Sequence, residues 1–67
     1  MKLSARNQLQ GKVLEVVKGQ TTAHVRIEIA KGTVTASITN EAVDELKLKT
    51  GDDVTTIIKA SDVMVGK

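Results

Sequence analysis

Two short segments of the 67-residue chain carry residue types suited to holding an anion: Ser4-Ala5-Arg6-Asn7-Gln8 near the start and Lys59-Ala60-Ser61 near the end. Both fall just outside the β-patterned runs described below. Irregular backbone there leaves N–H groups unpaired, while serine hydroxyls and a guanidinium add directed donors. A tetrahedral dianion, which accepts at every oxygen, suits such a set. If the two segments converge, in one subunit or across an interface, Ser4 and Arg6 hold one side of an oxyanion and Lys59, Ala60 and Ser61 the other. Ala60 contributes only through its backbone. Asp62 follows directly, and because a carboxylate facing the pocket repels a dianion, its side chain is expected to point away.

Catalytic chemistry lacks candidates. The one histidine, His24, falls on the polar side of its strand, and no carboxylate pair lies where periodicity brings both into a cleft. With no cysteine, a zinc finger, a disulfide and a Cys–His nucleophile are all excluded. The acids of residues 41–53 read as a solvated helix face and turn, since they lack the alternating oxygen ligands around a glycine that calcium requires. The expected activity is binding, with no enzyme function, no cofactor and no metal ligated directly by the protein.

A β-rich scaffold must position the two donor segments. Val, Ile and Thr number 22 of the 67 residues, and their stiff χ1 angles favour strand over helix. Ala23, Val25, Ile27 and Ile29 alternate with His24, Arg26 and Glu28, the period of a strand with one buried face. Val34, Ala36 and Ile38 alternate with Thr33, Thr35, Ser37 and Thr39, and Lys31-Gly32 between the runs predicts a hairpin with a short turn. Upstream, Gly11 to Lys18 predicts a less regular strand ending at Gly19, with apolar doublets that point to contacts on both faces. The period changes at Asn40-Glu41-Ala42-Val43-Asp44-Glu45-Leu46. There Asn40 is the expected N-cap, and Glu41, Asp44 and Glu45 place negative charge near a helix N-terminus. Thr50-Gly51-Asp52-Asp53 marks a turn, Val54 to Lys59 a further strand, and Ala60-Ser61-Asp62 a break before Val63-Met64-Val65. Three strands, a short helix and one or two strands is the order of an OB-like fold. The expected class is therefore all-β, a five-stranded Greek-key barrel with one short helix between strands 3 and 4, formed by residues 1–67 as a single domain.

A chain of this size buries only roughly 60% of its unfolded surface. With no disulfide and no structural metal to reinforce it, a homo-oligomer is the default expectation. The absence of Phe, Trp and Tyr removes the stacking platforms of single-stranded nucleic-acid recognition. Charge is unevenly spread: residues 1–31 hold six Lys/Arg and two acids, net +4, and residues 32–67 hold four Lys and six acids, net −2. Such asymmetry steers an anion or aligns subunits head to tail, whereas a polyanion binder clusters more positive charge on one face. The residues after Lys2 are too polar for a signal peptide, and no apolar run approaches the ~20 residues of a membrane span. The expected protein is soluble and cytoplasmic.

Ser4-Ala5-Arg6-Asn7-Gln8-Leu9 followed by Gly11-Lys12-Val13, together with Ile58-Lys59-Ala60-Ser61-Asp62-Val63-Met64, resembles the molbindins, small molybdate- and tungstate-binding proteins also called Mop domains. The resemblance covers essentially the whole chain. It implies an OB-like barrel assembled as a hexamer, a trimer of dimers, that binds molybdate or tungstate at subunit interfaces as a store or buffer. It places Ser4 and Arg6 of one subunit against Lys59, Ala60 and Ser61 of a neighbour. It also implies further sites near a threefold axis, for which the turn Gly19-Gln20-Thr21-Thr22 is the candidate. Two rival readings are an OB-type nucleic-acid-binding module, which the missing aromatics argue against, and an assembly domain without a ligand, in which Arg6 and Lys59 merely pair with acids of neighbouring chains.

Overall fold

The computed structural model describes residues 7–67. Its elements are β1 (Asn7–Lys18), β2 (Thr22–Ile29), β3 (Gly32–Thr39), α1 (Asn40–Leu46), β4 (Asp53–Ile58) and a single 3-10 turn at Ala60–Asp62. The four strands form one antiparallel sheet in the order β3-β2-β1-β4. The helix lies between the third and fourth strands, as expected.

The long strand β1 serves two neighbours. Its first half pairs with β4, from Asn7 opposite Ile58 to Lys12 opposite Asp53. Its second half pairs with β2, from Lys12 opposite Glu28 to Lys18 opposite Ala23. Between Val13 and Glu15 the register slips by one residue at Leu14, and such a bulge shifts the phase of alternation. Val13 opposite Ile27 and Val16 opposite Val25 therefore both face the core, which is the physical origin of the apolar doublets. The strand also begins four residues before Gly11. Asn7-Gln8-Leu9-Gln10 has no apolar alternation to announce it, and its extended form is imposed by the ladder with β4.

The core of the described residues is small: Val13, Ala23, Val25, Ile27 and Val43 are buried. Val16, Ile29, Ala36, Ile38, Leu48 and Val54 pack partly against them. In β2 the expected alternation holds, with Ala23, Val25 and Ile27 buried and His24, Arg26 and Glu28 exposed. The β2–β3 hairpin closes at Ile29 opposite Gly32, so its loop is Ala30-Lys31, one residue earlier than Lys31-Gly32. The helix cap also differs by one residue. Thr39 is the N-cap, its Oγ1 accepting from Ala42 N at 3.0 Å, while Asn40 donates through Nδ2 to Gly19 O at 2.9 Å. Both residue types cap helices, and the tie to Gly19 engages Asn40 elsewhere. The helix ends in a Schellman-type pair, Lys47 N to Asp44 O at 3.2 Å and Leu48 N to Val43 O at 3.1 Å, which seats Leu48 against the core.

Among the described residues Val63–Val65 forms no fifth strand and is exposed, with the backbone of Val63 extended. The outer edges of β3 and β4 have no strand partner among the described residues. Ala36 and Ile38 of β3 and Val54 to Ile57 of β4 nevertheless line one apolar cavity of about 230 Å³. The sheet thus curls until its two edge strands flank the same space, an OB-like barrel with one side open.

Two backbone positions test this account. At Gly11 an added Cβ would overlap the carbonyl oxygen of Glu28 and lie 2.7 Å from Ile27 Cγ2, so Gly11→Ala is expected to destabilise by about 1–3 kcal/mol. Lys47 occupies the left-handed region at φ 53°, where a side chain is strained and glycine is preferred. Lys47→Gly is expected to stabilise by up to about 1 kcal/mol. Urea unfolding of the two variants against the parent measures both.

Candidate functional site

The last described rung of the β1–β4 ladder, Asn7 opposite Ile58, brings Asn7 of the first anion-type segment beside the strand end that leads into Lys59. Gln8 lies opposite Ile57, so the chain enters β1 where it leaves β4. Ser4 and Arg6 lie outside the described residues. Asn7, to which the sequence reading gave no role, is the residue that the ladder sets one position from Lys59. Nothing in the local sequence signals that placement, because it follows from register.

Beyond Ile58 the backbone leaves the sheet. Lys59 is extended (φ −62°, ψ 139°) and makes no side-chain cap. The following turn is closed by Asp62 N to Lys59 O at 2.9 Å and Val63 N to Ala60 O at 3.2 Å. Those bonds engage the N–H groups at the end of the turn and leave those of Ala60 and Ser61 outside it, as helical geometry dictates for a first turn. Lys59, Ala60 and Ser61 are all exposed. The ion pairs of the described residues join Lys12 to Asp53, Lys18 to Asp44 and Arg26 to Glu15, and none of them engages Lys59. The turn therefore offers two backbone donors, one hydroxyl and one ammonium. Asp62 is exposed and gives its N–H to closing the turn.

The turn after β1 is built differently. Gly19 N donates to Thr22 O at 2.7 Å and Asn40 N to Thr21 O at 2.9 Å, while Gly19 O receives Asn40 Nδ2. Gly19-Gln20-Thr21-Thr22 is thus fastened to the start of α1, and Lys18 is fastened to Asp44 on the same helix at 2.5 Å. Among the described residues, Asn40 Oδ1, an acceptor, is buried beside this knot without a partner. His24 is exposed on the outer sheet face, opposite Val17 and Ser37. Among the described residues, no group of three or more His, Cys, Asp or Glu side chains is placed to hold a metal ion. No helix among the described residues is long and apolar enough to cross a membrane.

The family profile of the TOBE domain matches residues 3–65, which takes in both donor segments. The chain belongs to the TOBE-domain family. Within that family it stands among the molbindins, or Mop proteins. This TOBE domain is 48% identical over 66 residues to molybdenum-pterin-binding protein 3 of Clostridium pasteurianum, covering 97% of each chain. MopII of the same organism, solved in an apo form, superposes with a TM-score of 0.92 at 43% identity, covering 98% of this chain and all of that one. A molybdate-binding protein from Sporomusa ovata superposes with a TM-score of 0.95 at 39% identity over the full length of both chains.

The N–H of Ala60, which has no partner among the described residues, can be removed without disturbing the turn. Lys59 already holds the extended conformation that precedes proline, and proline is tolerated at the first position of a helical turn. Ala60→Pro in this TOBE domain is expected to leave unfolding free energy within about 0.5 kcal/mol of the parent, measured by urea titration.

Proposed function

We propose that this TOBE domain binds molybdate or tungstate as a tetrahedral oxyanion at the subunit interfaces of a cytoplasmic homo-oligomer, a hexamer built as a trimer of dimers. It stores or buffers the anion and performs no catalysis. The observation that carries the reading is the Lys59–Asp62 turn, whose donors are uncommitted among the described residues and sit where β4 ends beside the start of β1. In this reading Lys59, Ala60 and Ser61 supply one wall of the pocket, and Ser4 and Arg6 of a neighbouring chain supply the other. The molybdate-binding Sporomusa ovata relative supports the choice of anion.

The chemistry favours molybdate over phosphate on simple grounds. Molybdate is fully deprotonated near neutral pH, so each oxygen accepts and a wall of donors satisfies it. Hydrogen phosphate carries a proton it must donate, and each unmade buried bond costs roughly 1–3 kcal/mol. Sulfate escapes that penalty and is rejected by pocket size. Assembly follows from the small core and the open barrel side. The exposed apolar residues Val63, Met64 and Val65 are the surface that an oligomer buries, and the fifth strand of a closed Greek-key barrel forms there.

Native mass spectrometry with molybdate, using sulfate as control, tests the reading. The expected result is a hexamer that gains discrete molybdate masses without competition from sulfate. A monomer that gains nothing overturns it. Arg6→Ala is expected to abolish anion binding and leave assembly intact; surviving affinity with failed assembly assigns Arg6 a structural role. Ala60→Pro removes one hydrogen bond to a charged ligand, worth about 1.5–3 kcal/mol, so molybdate affinity is expected to fall about tenfold to a hundredfold. Labelled single-stranded DNA is expected to show no salt-dependent binding.

A further inference from the structure

The turn that carries the uncommitted donors also carries a carboxylate. Between Asp53 and Lys67 the sequence holds two charged residues, Lys59 and Asp62, and the bond from Asp62 N to Lys59 O at 2.9 Å sets them at the two ends of one turn. Their charges cancel over that turn. Both residues are exposed. The ion pairs of the described residues join other partners, and the side-chain hydrogen bonds among them engage neither residue. The turn is closed by backbone bonds alone, so any residue but proline supplies what position 62 gives to the fold. The Asp62 carboxylate is thus a charge beside the donors with no structural bond to account for it.

Its reach can be set by the geometry of the turn. A turn closed from residue i to i+3 keeps its end Cα atoms within about 7 Å, and an anion accepting from the N–H groups of Ala60 and Ser61 sits about 3 Å from them, which puts the carboxylate at about 8 Å from the anion. Pointing the side chain away from the pocket avoids contact and does not remove the charge. At that range a full negative charge still acts through water, and against a dianion its effect is doubled. Lys59 offsets it, so the turn of one protomer exerts little net pull on a distant anion. Attraction from afar then falls to Arg6 of the neighbouring chain.

We propose that Asp62 is a charge brake on the anion site: it holds the affinity for a dianion below what the donors alone give and so lets the bound anion leave. The inference rests on the anion-binding reading above and assigns to that site a control on release. The brake acts in proportion to the charge of the ligand. Doubly charged molybdate is therefore held back twice as strongly, on a logarithmic scale, as a singly charged tetrahedral oxyanion such as perrhenate. It also weakens as salt rises, because the screening length falls from about 30 Å at 0.01 M to about 8 Å at 0.15 M.

A charge series at one exposed position tests the brake. Asp62→Asn removes the charge and keeps the shape and the backbone N–H, and Asp62→Lys reverses the charge. In calorimetry of the assembled protein with molybdate at about 0.01 M salt, Asp62→Asn is expected to bind about fourfold tighter than the parent or more, and Asp62→Lys about sixteenfold or more, since the second change in charge is twice the first. At about 0.15 M salt the gain of Asp62→Asn is expected to fall to about half its low-salt value. Perrhenate, measured by displacement of molybdate, is expected to gain about twofold in Asp62→Asn at low salt. Molybdate affinity that is unchanged or weaker in both variants overturns the brake and leaves the anion reading standing. A gain that is equal for the two anions and indifferent to salt also overturns it, because a change in the shape of the turn has that signature and a charge does not. A parent protein that binds no molybdate overturns both.

Discussion

One strand has to satisfy two partners. β1 gives its first half to β4 and its second half to β2, and the sheet curls into a barrel because a single chain segment is shared between them. That sharing requires a close passage at Gly11, where the backbone of Glu28 and the side chain of Ile27 leave no room for a Cβ. The bulge at Leu14 then resets the alternation so that both halves of the strand turn an apolar face inward. The position of the donor turn follows from the same constraint, because β4 ends where its rung with Asn7 ends.

The energetic consequence is a protomer with little to spare. Among the described residues its buried apolar set is confined to five side chains, none larger than isoleucine, and one flank of the barrel opens onto an apolar cavity. The ion pairs lie on half-exposed or exposed side chains and contribute little individually. Local devices therefore matter: the Thr39 cap, the Asn40 bonds to the turn after β1 and the Schellman closure at Lys47 hold α1 over the core through Val43.

The parts of the fold that were legible in the sequence are those whose period belongs to one element. β2 and β3 announce themselves by strict alternation, and α1 by a change of period between capping and turn residues. The start of β1 is illegible because Asn7-Gln8-Leu9-Gln10 becomes a strand through its partner and not through its own pattern. The cap was misplaced by one residue because Thr39 and Asn40 both suit the position, and only the distant Gly19 carbonyl separates their roles. Val63–Val65 has strand composition, yet a strand needs a partner that the described residues do not offer. For the candidate site, the donor types at Lys59, Ala60 and Ser61 were readable as a break in a strand. Their neighbourhood with Asn7 was not, since register is a property of two segments at once.

The open edge of β3 has a further consequence, which concerns solubility. Thr33-Val34-Thr35-Ala36-Ser37-Ile38-Thr39 is a seven-residue run with no charge and no proline, rich in β-branched residues and unpaired along its outer side among the described residues. These are the attributes of a segment that stacks into fibrils when left exposed. Lys31 and Glu41, two residues beyond either end, are the flanking charges that oppose such stacking. An isolated chain thus carries its own template for aggregation, and whatever covers that edge also protects the chain from precipitation.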